Sequence, residues 1–134
     1  MIHIHGYDHI VLRTVNLQVM LDFYTQVLGC ALERQLDPSI GLYQLRAGEA
    51  MIDLVDCDSR IGRQGGAAPD PQRRNLDHFC LQLTDFDEAE LRAHLSRHGI
   101  AAGPMERRYG AQGDGDSMYI QDPDGNTIEL KGRC

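Results

Sequence analysis

The sequence has no tryptophan, and only 6% of its residues are aromatic. It is poorly equipped to wall in a flat ligand between stacked rings. Cysteine is scarce too. The four residues, Cys30, Cys57, Cys80 and Cys134, show no C-x-x-C spacing and are too few for a disulfide scaffold. Reduced, structural thiols in a cytoplasmic setting are expected. No apolar run approaches the roughly 18 residues of a membrane span. The N-terminus lacks a basic region followed by an apolar run, so no secretory signal is expected. Positive charge is in short supply. Thirteen Lys and Arg stand against twenty Asp and Glu, for a net charge of −7 and a pI of about 5.2. Nucleic-acid partners need a basic face, so none is expected. Arg73-Arg74 and Arg107-Arg108 are short local exceptions and read as solvated charge.

What the chain does have is a duplication. Asp8-His9-Ile10-Val11-Leu12 returns as Asp77-His78-Phe79-Cys80-Leu81. Each copy leads through a polar turn into a helix-like stretch closed by Gly, at Gly29 and Gly99. Each half ends on an apolar–acidic–Leu triplet, Ile52-Asp53-Leu54 and Ile128-Glu129-Leu130. One His therefore sits on the first strand of each half and one carboxylate on the last. If the halves pack with pseudo-twofold symmetry, two His and two carboxylates converge. That is a ligand set for a divalent metal.

The 134 residues, 42% of them hydrophobic, suffice for one compact unit or two half-units. Residues 7–13 read as a strand and Asn16 as a helix N-cap. Leu17, Met20, Leu21, Tyr24, Val27 and Leu28 follow a 3.6-residue period, predicting a helix over 17–28. Strands are expected at 31–36, 41–46 and 50–57. Residues 58–75, rich in Gly, Pro and Arg, read as a linker or mobile loop. The pattern then repeats: a strand at 75–84, a helix capped by Asp85 or Asp87, and strands at 100–105, 117–122 and 126–131. Residues 106–116 read as a polar loop near a site mouth. The expected fold is α+β, with two tandem βαβββ modules, 6–57 and 76–131. They form a curved mixed sheet around a metal cleft with helices outside.

These residues resemble the vicinal oxygen chelate superfamily, which includes glyoxalase I, bleomycin-resistance proteins, extradiol dioxygenases, fosfomycin-resistance enzymes and methylmalonyl-CoA epimerase. The resemblance is carried by Asp8-His9-Ile10-Val11-Leu12, by Phe23-Tyr24-Thr25-Gln26-Val27-Leu28-Gly29, by Leu76-Asp77-His78, and by the run from Asp122-Pro123-Asp124-Gly125-Asn126 through Glu129-Leu130. It covers about residues 6–131 and implies that 1–134 is a single glyoxalase-like domain. It implies metal ligands at His9, His78 and Glu129. It puts Asp53 where glyoxalase I has a fourth ligand, a Glu, so the side chain here is one methylene shorter. The implied metal is Zn, Ni, Mn or Fe, and the implied partner a small-molecule substrate with two neighbouring oxygens. The metal would stabilise an enediolate or similar oxyanion, with Glu129 or Asp53 moving a proton. In this superfamily, two-module chains of this length commonly build each cleft from two subunits, so a homodimer is expected.

A lone His on a strand is usually a core or surface residue. The repeat lifts His9 and His78 out of that class. His3 and His5 precede the repeat and read as surface residues. His94 and His98, spaced i,i+4 on a helix, read as an exposed or capping pair outside the cleft. Tyr119 stands where extradiol dioxygenases have a catalytic Tyr, but their upstream acid/base His is missing. Residues 111–113 here read Ala-Gln-Gly. Redox-neutral chemistry of the lyase or isomerase kind is therefore expected ahead of ring cleavage. The Gly113–Ser117 loop resembles the fosfomycin substrate loop, yet Asp116 replaces the cation that precedes the Ser and would repel a dianion. A metal-free drug-binding module of the bleomycin-resistance type is the other alternative. The low aromatic content and the ligand set count against it.

Overall fold

The computed structural model of the chain describes residues 1–133; the Cys134 thiol considered above lies outside the described residues. The first elements are β1 (His9–Thr14), α1 (Leu17–Asp22), a π-helical turn (Phe23–Val27), β2 (Ala31–Gln35), β3 (Leu42–Ala47), β4 (Ala50–Asp56) and α2 (Arg60–Gln64). Then follow β5 (Phe79–Leu83), α3 (Glu88–Arg97), β6 (Glu106–Gly110), β7 (Gly113–Gln121) and β8 (Thr127–Gly132). The backbone divides into two compact units, one from Met1 to Asp70 and one from Pro71 onward. Each carries a four-stranded mixed sheet, ordered β1-β4-β3-β2 in the first and β5-β8-β7-β6 in the second. The fold is α+β, as the periodicity predicted.

In each unit the first strand pairs in parallel with the last, and the remaining pairs are antiparallel. Parallel neighbours cannot be joined by a tight hairpin, and here a helix and two further strands separate them in the chain. Strand alternation then sorts the side chains. On β4, Ile52 and Leu54 face one way and are 2% and 0% exposed. On β8, Ile128 and Leu130 do the same at 0% and 1%. Met20, Tyr24 and Leu45 are buried in the first unit, and Leu95, Met118 and Ile120 in the second. Each such side chain contributes about 1.5–3 kcal/mol on removal from water. Asp53 and Glu129 lie between these apolar residues and so project from the opposite face.

Both glycine stops are as expected, with φ of 73° at Gly29 and 71° at Gly99. Asp87, rather than Asp85, caps α3, accepting from the Glu90 N–H at 2.9 Å. Asn16 occupies the N-cap position of α1 but makes no side-chain cap bond. The helix expected over 17–28 changes character at Phe23. The Leu28 N–H donates to the Phe23 carbonyl at 3.2 Å, five residues back. The Thr25 hydroxyl meanwhile donates to the Leu21 carbonyl at 2.7 Å and competes with the backbone ladder there.

Three segments correct the sequence reading. Part of the expected 58–75 linker is helical. The Ser59 hydroxyl accepts from the Gly62 N–H at 3.0 Å and starts α2. Gly62 is required there, because an added Cβ would overlap the Asp56 carbonyl oxygen. The strand expected at 100–105 has no ladder partner, although the Gly103 N–H donates to the Tyr119 carbonyl at 3.0 Å. The polar loop at 106–116 is instead a hairpin of β6 and β7. Arg108 secures it by donating to both the carbonyl and the hydroxyl of Ser117, each at 2.8 Å. No helix is long and apolar enough to cross a membrane among the described residues.

Candidate functional site

The acid-bearing face of the first sheet is built from β1, β4 and β3. His9 opens β1, and the parallel register sets Val11 beside Asp53. The His9 Nδ1–H donates to the Asp8 carboxylate at 2.6 Å. That bond fixes the tautomer and leaves the Nε2 lone pair free. It is also the main cause of a raised His9 pKa, which burial opposes and the charges of Asp53 and Asp8 reinforce. Asp53 is 2% exposed. Its Oδ2 accepts a long 3.4 Å bond from the Gln44 amide, which in turn accepts from Arg34 at 2.9 Å. Its Oδ1 is buried with no hydrogen-bond partner. A buried carboxylate oxygen without a partner is costly unless something cationic meets it.

The second sheet repeats the plan. The His78 Nδ1–H donates to Asp77 at 2.6 Å. The opposite ring nitrogen, Nε2, lies 3.3 Å from Glu129 Oε1. With Nδ1 holding the hydrogen, the contact is favourable only when a proton or a metal ion stands between Nε2 and the carboxylate. Glu129 is 5% exposed. Tyr119 is its register partner on β7. The Tyr119 ring meets His78 edge-on at 5.3 Å and lies beneath the Arg108 guanidinium at 4.3 Å. Cys80 is beside Glu129 across the register. Burial and the Glu129 charge push its thiol up to about 11, so it stays protonated at neutral pH.

The structure thus brings His9 near Asp53 in one unit and His78 against Glu129 in the other. Among the described residues, no three His, Cys, Asp or Glu groups gather as a metal site. His3 and His5 are exposed. His94 and His98 stack on α3 with ring centroids 4.9 Å apart. Within each unit the pairing of one imidazole Nε2 with one poorly compensated carboxylate offers donor types that suit a divalent ion.

One inference from the sequence does not survive. Asp116 alternates with Ser117 on β7 and shares its side of the strand with Met118 and Ile120, away from Glu129. It ion-pairs with Arg107 at 3.5 Å. Its charge gives no reason to exclude an anionic substrate from the Glu129 face. Sequence reasoning also passed over Gln44 and Lys131, and it set Arg108 aside as solvated charge. Lys131 was legible, since i and i+2 on a strand share a face and Glu129 was already singled out. Arg108 was hidden by reading 106–116 as a loop.

A family model, that of the Glyoxalase/Bleomycin resistance protein/Dioxygenase superfamily, matches residues 6–130. The chain belongs to that superfamily. Its curated relatives there run different reactions. The chain is 31% identical to a glyoxalase domain-containing protein, RDO1, of Mycosarcoma maydis, over 95% of this chain and 68% of that protein. It is 29% identical to a catechol-2,3-dioxygenase of Bacillus subtilis, over 93% of this chain but only 40% of that protein's length. Against a lactoylglutathione lyase of Pseudomonas aeruginosa it is 29% identical, over 92% of this chain and 80% of that one. Among solved structures, an integron cassette protein from the mobile metagenome of V. cholerae matches with a TM-score of 0.76 and 26% identity, covering 100% of this chain and 99% of that one. Superfamily membership and fold agree across these matches, whereas the reactions named differ.

Proposed function

We propose that this chain is a divalent-metal-dependent enzyme of the glyoxalase type, a lyase or isomerase acting on a small substrate with two neighbouring oxygens. The observation that carries the reading is the His78–Glu129 contact, 3.3 Å long with Nδ1 already committed to Asp77. Its counterpart is Asp53, whose buried Oδ1 lacks a partner. His9, His78 and Glu129 are the ligands, with Asp53 the fourth, and Zn, Ni, Mn or Fe suits such a mixed N/O set. Bound there, the ion supplies Lewis-acid stabilisation of developing negative charge. Asp8 and Asp77 hold the two imidazoles in the tautomer a ligand needs. Asp53 or Glu129 takes and returns the substrate proton, and Tyr119 lines the substrate's position beside His78.

We place the working form as a cytoplasmic homodimer in which two chains complete each site. Val11, on the His9 face, is 47% exposed, which leaves apolar surface there for a second copy to cover. Light scattering should give about twice the 15.0 kDa chain mass. A monomer with a full metal site would overturn this assembly.

Ring cleavage is the second reading, supported by the position of Tyr119 against His78 and by the dioxygenase relative. Against it stands Gln112 in the window where an acid/base His belongs, because an amide cannot shuttle a proton near neutral pH. To separate the two, ferrous iron is loaded anaerobically, a catechol added, and oxygen admitted. We expect no yellow ring-opened product. Its rapid formation would replace the lyase reading and make Tyr119 catalytic.

A further inference from the structure

The Glu129 face of the second sheet holds a cation that nothing in the metal reading uses. Lys131 follows Glu129 by two residues on β8, so both side chains leave the sheet on the same side. Lys131 is 4% exposed. Its ammonium donates one hydrogen bond, to the Gly113 carbonyl at 2.8 Å. It forms no ion pair among the described residues. An ammonium carries three donors, so two are unused. A buried charge with one neutral acceptor is expensive to keep.

The surrounding backbone is shaped to hold it. A Cβ on Gly115 would stand 3.1 Å from the Lys131 Nζ, and one on Gly110 would stand 3.5 Å from its Cε. Among the described residues, Gly113 supplies the only acceptor. The hairpin of β6 and β7 is therefore open, by lack of side chains, along the path the Lys131 side chain takes. A second cation, Arg108, lies on this face over Tyr119, with its ion pair made to the exposed Glu106.

We propose that Lys131 is an anion-recognition residue and that the substrate is an acid. Its carboxylate would lie more than about 7 Å along the sheet from the group that meets Glu129, because two strand residues already separate the Cα atoms by that repeat and the Lys131 ammonium reaches on to Gly113. This rests on the metal-chelation reading for the position of the substrate's other end. Arg108 adds positive potential from the neighbouring strand. Asp116, on the other side of β7, does not oppose it.

The test uses the full-length protein loaded with zinc, and two probes that share their chelating oxygens. Catechol carries no acid, whereas 3-(3,4-dihydroxyphenyl)propanoate adds a carboxylate on a flexible arm that extends past the ring. Calorimetric titration should show the acid binding at least about tenfold tighter, as one charge-assisted hydrogen bond allows. In Lys131→Met that preference should fall to within about twofold, with catechol affinity and zinc stoichiometry unchanged. The thermal midpoint of Lys131→Met should hold or rise, because a poorly compensated buried charge has gone. Equal affinities in the wild type overturn the proposal without recourse to any variant. A Lys131→Met protein that is less stable and loses both ligands equally assigns Lys131 to holding the hairpin, and overturns it as well. The same titrations on chelator-treated protein separate the two readings. A Lys131-dependent preference for the acid that persists there, with no zinc uptake, keeps the anion site and removes the metal. Zinc-dependent catechol binding with no preference for the acid does the reverse.

Discussion

Replacing His78 with Ala should abolish stoichiometric metal binding while the chain stays folded. His78 is the residue whose geometry is most fully specified. Asp77 holds one ring nitrogen at 2.6 Å, and the other faces Glu129 at 3.3 Å. Removing the ring deletes the nitrogen ligand that stands beside Glu129. Changes in the outer shell of a metal site cost about 10–100-fold in affinity. Loss of a direct ligand should exceed that, so a competition titration against a chromophoric chelator should show a drop of more than about 100-fold. The His78 side chain is 34% exposed, and truncating a half-exposed ring costs on the order of 1 kcal/mol of stability. Circular dichroism should therefore be unchanged. Full occupancy in His78→Ala would remove the residue from the ligand set.

Asp53→Asn should move stability and metal affinity in opposite directions. The carboxylate is 2% exposed, one oxygen has only the 3.4 Å Gln44 contact, and the other has none. In the metal-free protein that charge is a liability, and a buried polar group without a partner costs about 1–3 kcal/mol. Asparagine keeps the shape and removes the charge. The metal-free variant should unfold at a higher temperature than the wild type, and its metal affinity should fall by at least about tenfold. Strain tolerated at a site because the ligand relieves it is the usual stability–function exchange. A lower unfolding temperature with unchanged affinity would mean that Asp53 only braces β3 against β4.

The frame of this fold was open to reading because it is written in local patterns. The repeated Asp-His dipeptides, the glycine stops at positive φ and the apolar–acidic–Leu triplets each set a period or a cap that the backbone obeys. Other features depend on partners distant in sequence, which such patterns do not encode. β6 is a polar Glu-Arg-Arg-Tyr-Gly segment that becomes a strand by pairing with β7. Its propensity alone is weak, and context decides. The widening at Phe23 coincides with a hydroxyl bonded to a carbonyl inside a helix whose apolar period continues unbroken. The side of the strand taken by Asp116 follows from the β7–β8 register, and that register reverses the electrostatic argument drawn from its neighbour in sequence. For the candidate site, residue types and strand positions were legible. The hydrogen bonds that set the tautomers, the buried unpaired oxygen of Asp53 and the single-acceptor ammonium of Lys131 depend on the folded geometry and leave no mark in the sequence.

The central claim is that this chain holds a divalent ion on its two His–carboxylate pairs. Elemental analysis of the protein as purified, repeated after chelation and reloading with zinc, nickel, manganese or ferrous iron, tests it most directly. The expected result is one divalent ion per chain that withstands gel filtration and does not return in His78→Ala. A wild-type protein that carries no metal as purified and takes up none on reloading would contradict it.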